Sequence, residues 1–481
     1  MKKQTKLIIG LAIAIISLCF SILRITDVIP SSPKKPKYVF YFIGDGMSVA
    51  QVLGTEFYNA AKSGTDKIER LNFSQFPTRT FVTNYSASNL VTDSAAAGTA
   101  LATGHKTNND YVGVDKDGNA LRSIIDVASE GGYKVGLVTN VGINHATPSS
   151  FYGHTTDRFA FSQLIDDYIA SEVDFIAGAT VMDKMSRTLR KQYAPITTVE
   201  LVERIRNAGI EITTDITRAA TTRDRRVALI ANDKENKHVP NVIDRKGDEQ
   251  HTLTAFTRAA IEYLTSNSDN GFFLMVEGGK IDYAAHNKDA VTVFTEINEF
   301  AESIELALDF AEQHPDETLI VVTSDHDTGG LSIGHNQYTV RMNALTVQNL
   351  SVAMLSNVLR DMRAKGYRNW ADYKQMLSER VGLWSNVPVS KEDEQLLLND
   401  FNDIFMKHGK QIEGLYTKNE IIAIDAMSIL YKHALIDWAS FQHTGLYTPL
   451  YAKGFGESKF AACYDQTEIP KTIARLMGGE L

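Results

Sequence analysis

The sequence predicts an α/β protein built on a large, mostly parallel β-sheet sandwiched by helices and carrying a helical insertion. Three observations lead there. Short, continuous apolar runs recur along the chain, the pattern of strands buried on both faces. Helical patterns lie between them, so successive strands are joined by crossovers and run parallel. A stretch at 338–440 then breaks the alternation, being helix-like, polar and poor in strands.

The head of the chain stands apart. Lys2, Lys3 and Lys6 precede a 17-residue apolar run, Leu7 to Leu23, closed by Arg24. A basic head with an apolar centre reads as a secretory signal peptide. No small-residue cleavage site comes after it, and the run just reaches spanning length, so a membrane anchor at 7–23 stays open. The stretch Pro30-Ser-Ser-Pro-Lys-Lys-Pro-Lys37 reads as an exposed linker. Residues 1–37 are thus leader plus linker, and the body at 38–481 is expected outside the cytoplasmic membrane, periplasmic or extracellular.

Within the body, YVFYFI (38–43), KVGLVT (134–139), VDFIAG (173–178), RVALIA (226–231), FFLMV (272–276) and TLIVVT (318–323) read as strands. Between the last two, Phe294, Ile297, Ala301, Ile304, Leu308 and Ala311 alternate spacings of three and four, one face of a helix. That strand–helix–strand unit places both strand ends on one edge of the sheet. Trp370, Trp384 and Trp438 fall inside the insertion.

Composition limits function only coarsely. A chain of 481 residues exceeds what one compact core usually holds, and 43% hydrophobic with 22% charged residues is globular. The net charge of −9 argues against a nucleic-acid-binding surface. Residues 1–37 hold seven basic groups and one acidic, so the body is more acidic still. Two cysteines, Cys19 and Cys463, exclude a disulfide scaffold.

The informative residues lie just past the apolar runs. YVFYFI leads into Asp45, FFLMV into Glu277 and then Asp282, TLIVVT into Asp325-His326-Asp327. In open α/β sheets, ligands bind beyond the carboxyl ends of the strands. Massed carboxylates there repel unless protonated or bound to cations, which points to metal. Asp282 and His286, four apart, share one face of a helical turn. Carboxylates with imidazoles suit Zn²⁺. Each has a plainer reading, since Asp325-His326 also fits a turn and Asp282 a helix cap. Ser94 opens a helix of small residues, as a cap or as a nucleophile whose anion the helix N-terminus stabilises. Asn144-His145-Ala146-Thr147 comes after another strand, with Arg158 beyond, a residue suited to gripping phosphate or pairing on the surface. His105, His154 and His335 read as structural or solvated.

Taken together, YFIGDGMS (41–48), VTDSAAAGTALATG (91–104), NHATPSSFYGHTTDR (144–158), VEGGKIDYAAH (276–286), VVTSDHDTGG (321–330) and QHTG (442–445) closely resemble the alkaline phosphatase family. They occur in the family's order and span nearly all of 38–481 apart from the insertion. The resemblance implies an alkaline phosphatase-like sheet and hydrolysis of small phosphate monoesters through a phosphoserine. It implies two Zn²⁺ and one Mg²⁺ per subunit. Asp282, His286 and His443 correspond to ligands of one zinc. Asp45, Asp325 and His326 correspond to those of the second, with the Ser94 oxygen. Asp45 also reaches the magnesium, shared with Thr147 and Glu277. Ser94 corresponds to the nucleophile, Arg158 to the phosphate clamp and Asp93 to the residue orienting it.

Two positions depart from the best-known bacterial pattern. His145 stands where that pattern has an aspartate, and is assigned beside the third metal rather than on it. Tyr283 replaces a lysine that contacts phosphate through water. The family also implies a homodimer, with the insertion as a cap or crown. The competing readings are a phosphodiesterase or sulfatase of the same superfamily and a non-catalytic metal-binding scaffold. Ser94 lacks the C/S-x-P-x-R context of sulfatases, and diesterases generally use threonine at that position.

Overall fold

The structure, a computed structural model, describes residues 35–65, 67–183, 196–247, 249–406, 411–413 and 418–481. Residues 1–34, with the apolar run 7–23, lie outside the described residues. Among those described, no helix is long and apolar enough to cross a membrane.

The body is organised on a nine-stranded sheet. In chain order its first eight strands are β1 (Tyr38–Ile43), β2 (Thr78–Val82), β3 (Lys134–Thr139), β4 (Phe175–Thr180), β5 (Glu211–Thr213), β6 (Val227–Asn232), β7 (Phe272–Glu277) and β8 (Thr318–Thr323). A last strand, Thr448–Gly454, inserts between β2 and β8 and runs antiparallel to both. From β8 the order continues β1, β7, β3, β4, β6, β5, all parallel. The doubly apolar strands are the central ones, as expected for a sheet covered on both faces. Alternate residues feed two cores: Phe40, Phe42, Leu274 and Val322 face one, Val39, Tyr41, Met275 and Val321 the other.

β7 and β8 flank β1, and the crossover between them contains the helix Ala290–Gln313. The predicted strands at 173–178 and 226–231 begin one to two residues later, at Phe175 and Val227. At 173–178 the cause is Asp174, whose carboxylate accepts from Val135 N at 2.9 Å and from Lys134 Nζ at 2.7 Å, and so ends the ladder.

Between Leu331–Ile333 and Ile436–Trp438, which pair antiparallel, the chain leaves the sheet. It forms the helices Val352–Ala364, Trp370–Val381, Lys391–Met406 and Ile421–Ala434. Their apolar residues Leu355, Tyr373, Leu377 and Leu430 join the same core as Phe40 and Phe42.

Candidate active site

Register sets the site. Thr323, Ile43 and Glu277 are aligned across β8, β1 and β7, and Thr139 of β3 is aligned with Glu277. Four strands therefore end level, and the residues just past them meet. Asp45, Glu277, Asp282, Asp325 and His326 are all fully buried.

Gly46 makes room for them. It adopts φ +71°, and a Cβ there would stand 2.8 Å from Thr328 Oγ1 and 3.0 Å from Asp282 Oδ1. Its N–H donates to Asp325 Oδ1 at 2.9 Å, as does that of His326.

Three imidazoles are oriented by their outer nitrogens. His286 Nδ1 lies 2.5 Å from Phe441 O, and His443 Nδ1 2.9 Å from Thr92 O. A carbonyl only accepts, so both Nδ1 atoms carry the proton and both Nε2 lone pairs face inward. His326 Nδ1 meets Thr328 Oγ1 at 3.2 Å, and that hydroxyl donates to Asp282 Oδ1 at 2.6 Å. The Thr328 proton is thereby used, which leaves His326 Nδ1 as donor and its Nε2 also inward.

The inward atoms converge. His286 Nε2 is 3.2 Å from His443 Nε2 and 3.3 Å from Asp282 Oδ1, and His443 Nε2 is 3.7 Å from the same oxygen. His326 Nε2 is 3.0 Å from Asp325 Oδ2, 3.5 Å from Asp45 Oδ1 and 3.1 Å from Ser94 Oγ. Asp45, Glu277 and His145 bring a third set of donor atoms within 4.8 Å of one another. Thr139 donates to Glu277 Oε2, and Thr147 adjoins the same carboxylate.

These residues fit divalent cations. Two facing Nε2 lone pairs repel unless a positive charge lies between them. Both oxygens of Asp45, Glu277 Oε1, Asp282 Oδ2 and Asp325 Oδ2 are buried and accept no hydrogen bond. Burial and the neighbouring carboxylates of Asp325, Asp282 and Glu277 push Asp45 well up, and burial raises Glu277 to about 7. For Asp282 and Asp325 burial acts the same way, but the adjacent imidazoles outweigh it and both are lowered. Burial lowers His443 to about 3, so it is a neutral donor.

Ser94 begins the helix Ser94–Thr103, which is buried throughout. The cap, however, is Asp93: its Oδ1 accepts from Ala96 N at 2.9 Å. Ser94 is the first helical residue and its hydroxyl is not consumed in capping. Asp93 Oδ2 accepts from Arg158 Nη1 at 2.8 Å and Asp110 N at 3.1 Å. Gly98 lets this helix lie against the short helix Ala146–Ser149, since a Cβ there would be 2.8 Å from Ser150 Oγ. Arg158, Asp93, Thr92, His443, Phe159 and Gln442 line a mouth of about 280 Å³.

Every residue assigned to the site from the sequence lies at this edge of the sheet. A ring nitrogen of His145 lies within 4.8 Å of carboxylate oxygens of Asp45 and Glu277. Tyr283 is buried, its ring edge-on to His145 at 5.8 Å, and burial followed by Glu277 and Asp282 keeps its phenol protonated. Sequence reasoning missed Thr328 and Thr139, which orient ligands, although Thr328 stands within the SDHDTGG segment.

Sequence comparison agrees with this geometry. A profile of the family described as alkaline phosphatase matches residues 36–478. The chain belongs to the alkaline phosphatase family. Alkaline phosphatase 3 of Bacillus subtilis is 29% identical over 501 residues, covering 99% of this chain and 98% of its own. The tissue-nonspecific alkaline phosphatase of rat is 29% identical over 60% of this chain and 63% of its own. Among solved structures, a cold-active alkaline phosphatase from a psychrophilic Shewanella superposes with TM-score 0.75 at 27% identity, over 92% of this chain and 99% of its own. That of Thermus thermophilus gives 0.70 at 25%, over 94% and 92%. Alkaline phosphatases are metal-dependent phosphoric monoester hydrolases, and this chain is an enzyme of that class.

Proposed function

We propose that this alkaline phosphatase hydrolyses small phosphate monoesters through a phosphoserine at Ser94, using two Zn²⁺ and one Mg²⁺. The observation that carries the reading is Ser94 Oγ, free of capping, 3.1 Å from His326 Nε2 at a helix N-terminus. Asp282, His286 and His443 would hold one zinc; Asp45, Asp325 and His326, with Ser94, the other. The mixed nitrogen and oxygen donors suit that ion. Asp45, Thr147 and Glu277 supply oxygens for magnesium, with His145 at the rim. Bound there, the cations supply Lewis acidity that favours the Ser94 alkoxide and neutralises charge on the phosphoryl group and leaving oxygen.

Ser94 gives up its hydroxyl proton to water, its Oγ attacks phosphorus in line, the bond to the ester oxygen breaks, and the alcohol departs with a proton from water. Arg158 grips two phosphoryl oxygens, oriented by Asp93, in a transition state whose catalysis is mostly positioning and charge. Tyr283 offers a protonated hydroxyl beside the phosphate, without the charge of a lysine. Water then cleaves the Ser94–phosphate bond, returning the serine hydroxyl and inorganic phosphate.

The leader at 1–37 supports export, with 38–481 as one catalytic domain and 338–440 as its insertion. The chain would act as a homodimer, which a solution mass tests. The decisive experiment compares p-nitrophenyl phosphate, its diester and its sulfate with wild type, Ser94→Ala and chelator-treated protein. Monoester preference, rising toward alkaline pH and lost in both treatments, is expected. Full activity of Ser94→Ala would overturn the reading.

A further inference from the structure

The short helix Lys280–Ala285 carries Asp282 and ends at His286. The next three residues leave the sheet's own elements and are each held by the segment 338–440 or the residues just past it. Asn287 Oδ1 accepts from Asn419 Nδ2 at 2.6 Å, while its Nδ2 donates to Tyr283 O at 3.0 Å. Lys288, at φ +54°, lays its ammonium 4.2 Å above the Phe441 ring and donates to Trp438 O at 3.4 Å. Phe441 is the residue whose carbonyl orients His286.

Asp289 makes the densest set. It is 1% exposed. Oδ1 accepts from Gln348 Nε2 at 2.8 Å, Tyr431 OH at 3.0 Å and Thr292 N at 3.3 Å, and Oδ2 accepts from Val352 N at 2.7 Å. One carboxylate therefore serves the start of two helices, its own Ala290–Gln313 and the insertion's Val352–Ala364, where both dipoles favour its charge. Tyr431 OH lies equally close to Gln348 Oε1, at 3.0 Å, so its single proton is shared between the two acceptors and closes a buried triangle of Asp289, Gln348 and Tyr431. A buried network satisfied in this way resists rearrangement, because breaking one member strands the others without water.

We propose that the insertion is a clasp on the turn Asn287-Lys288-Asp289 that fixes the His286 imidazole in its metal site, with Asp289 and Tyr431 as positioning residues. This rests on the proposed role of His286 as a zinc ligand. The insertion then acts on the metal from behind the ligand, independently of any role over the substrate. Loosening the clasp lets His286 swing off, so zinc leaves faster while the remaining ligands and Ser94 stay in place.

The test measures zinc release from the holoenzyme into a chromogenic chelator, with bound zinc counted by elemental analysis. Tyr431→Phe removes one hydroxyl and Asp289→Asn one charge, both at nearly constant shape. Each is expected to release zinc about 10-fold faster than wild type, within the range seen when partners behind metal ligands are changed. Excess zinc is expected to restore the activity of both. Leu377→Ala, at a buried position on the helix Trp370–Val381 away from the Asp289 network, serves as the control: it lowers Tm but leaves zinc release within about twofold of wild type. Wild-type release from both clasp variants, or equally fast release from Leu377→Ala, would overturn the clasp. If His286→Ala itself releases zinc no faster than wild type, the assignment of His286 as a ligand is what fails.

Discussion

Asp93 caps the helix that begins at Ser94 with one carboxylate oxygen and holds Arg158 at 2.8 Å with the other. The proposed nucleophile and phosphate clamp thus share one joint. Asp93→Asn keeps a capping oxygen but loses the ion pair. It should fold with near wild-type Tm, lose at least about 10-fold in kcat/KM for p-nitrophenyl phosphate, and bind inhibitory phosphate more weakly. Asp93→Ala should add the loss of the cap, about 1 kcal/mol of stability. Steady-state kinetics with phosphate inhibition and thermal melts separate the two effects.

Thr328 joins His326 and Asp282, members of the candidate metal-ligand cluster, through its single hydroxyl. Thr328→Val preserves shape and removes both bonds, leaving His326 free to change tautomer. The expected result is about a 10- to 100-fold loss of zinc affinity or activity, the range for a partner behind a metal ligand. Thr328→Ser should recover most of it. Unchanged zinc titration of the valine variant would refute this role.

Gly46 cannot carry a side chain without cost. At φ +71°, with Thr328 Oγ1 and Asp282 Oδ1 within 3.0 Å of any Cβ, Gly46→Ala should destabilise the protein by more than about 1 kcal/mol. It should also lower metal content at saturating zinc. A folded variant with full metal content would contradict the cradle described for this residue.

The acidic cluster gives metal removal a pH signature. Burial raises Glu277 to about 7 and, with the neighbouring carboxylates, raises Asp45. In metal-free protein the unfolded chain therefore ionises these groups first, so the native state binds more protons and stability falls as pH rises from about 4.5 to 7. Asp282 and Asp325 are lowered, and their contribution is present above the ordinary carboxylate range and lost below it. Cations remove the first penalty. The Tm increment produced by zinc and magnesium should therefore be larger at pH 7.5 than at pH 5, by scanning fluorimetry with and without chelator. An equal increment at both would show that these carboxylates do not meet the metals.

Much of the central sheet was legible because β1, β7 and β8 are apolar at nearly every position over six residues, the length and pattern of a doubly covered strand. The edges were not. β2, TRTFV, alternates buried and exposed residues at the rim, and β5 has only three residues. The strand Thr448–Gly454 contains Pro449, which argues against a strand until one sees that its ladder with β8 starts at Leu450. The acids at strand ends could be read from the sequence because their position after an apolar run has only a few explanations. Thr328, and the carbonyls of Thr92 and Phe441 that fix two imidazoles, could not. A threonine in a turn is unremarkable, and a backbone acceptor has no side chain to announce it.

The level ends of β8, β1, β7 and β3 make the sheet a ruler for charge. Neighbouring strands are about 4.8 Å apart, close to the roughly 4 Å that separates paired catalytic cations. The spacing of the acidic residues just past these strands is thus set by backbone pairing, which substitutions within the strands leave unchanged. An added residue inside β1 would slip Asp45 against Glu277 and Asp325 together.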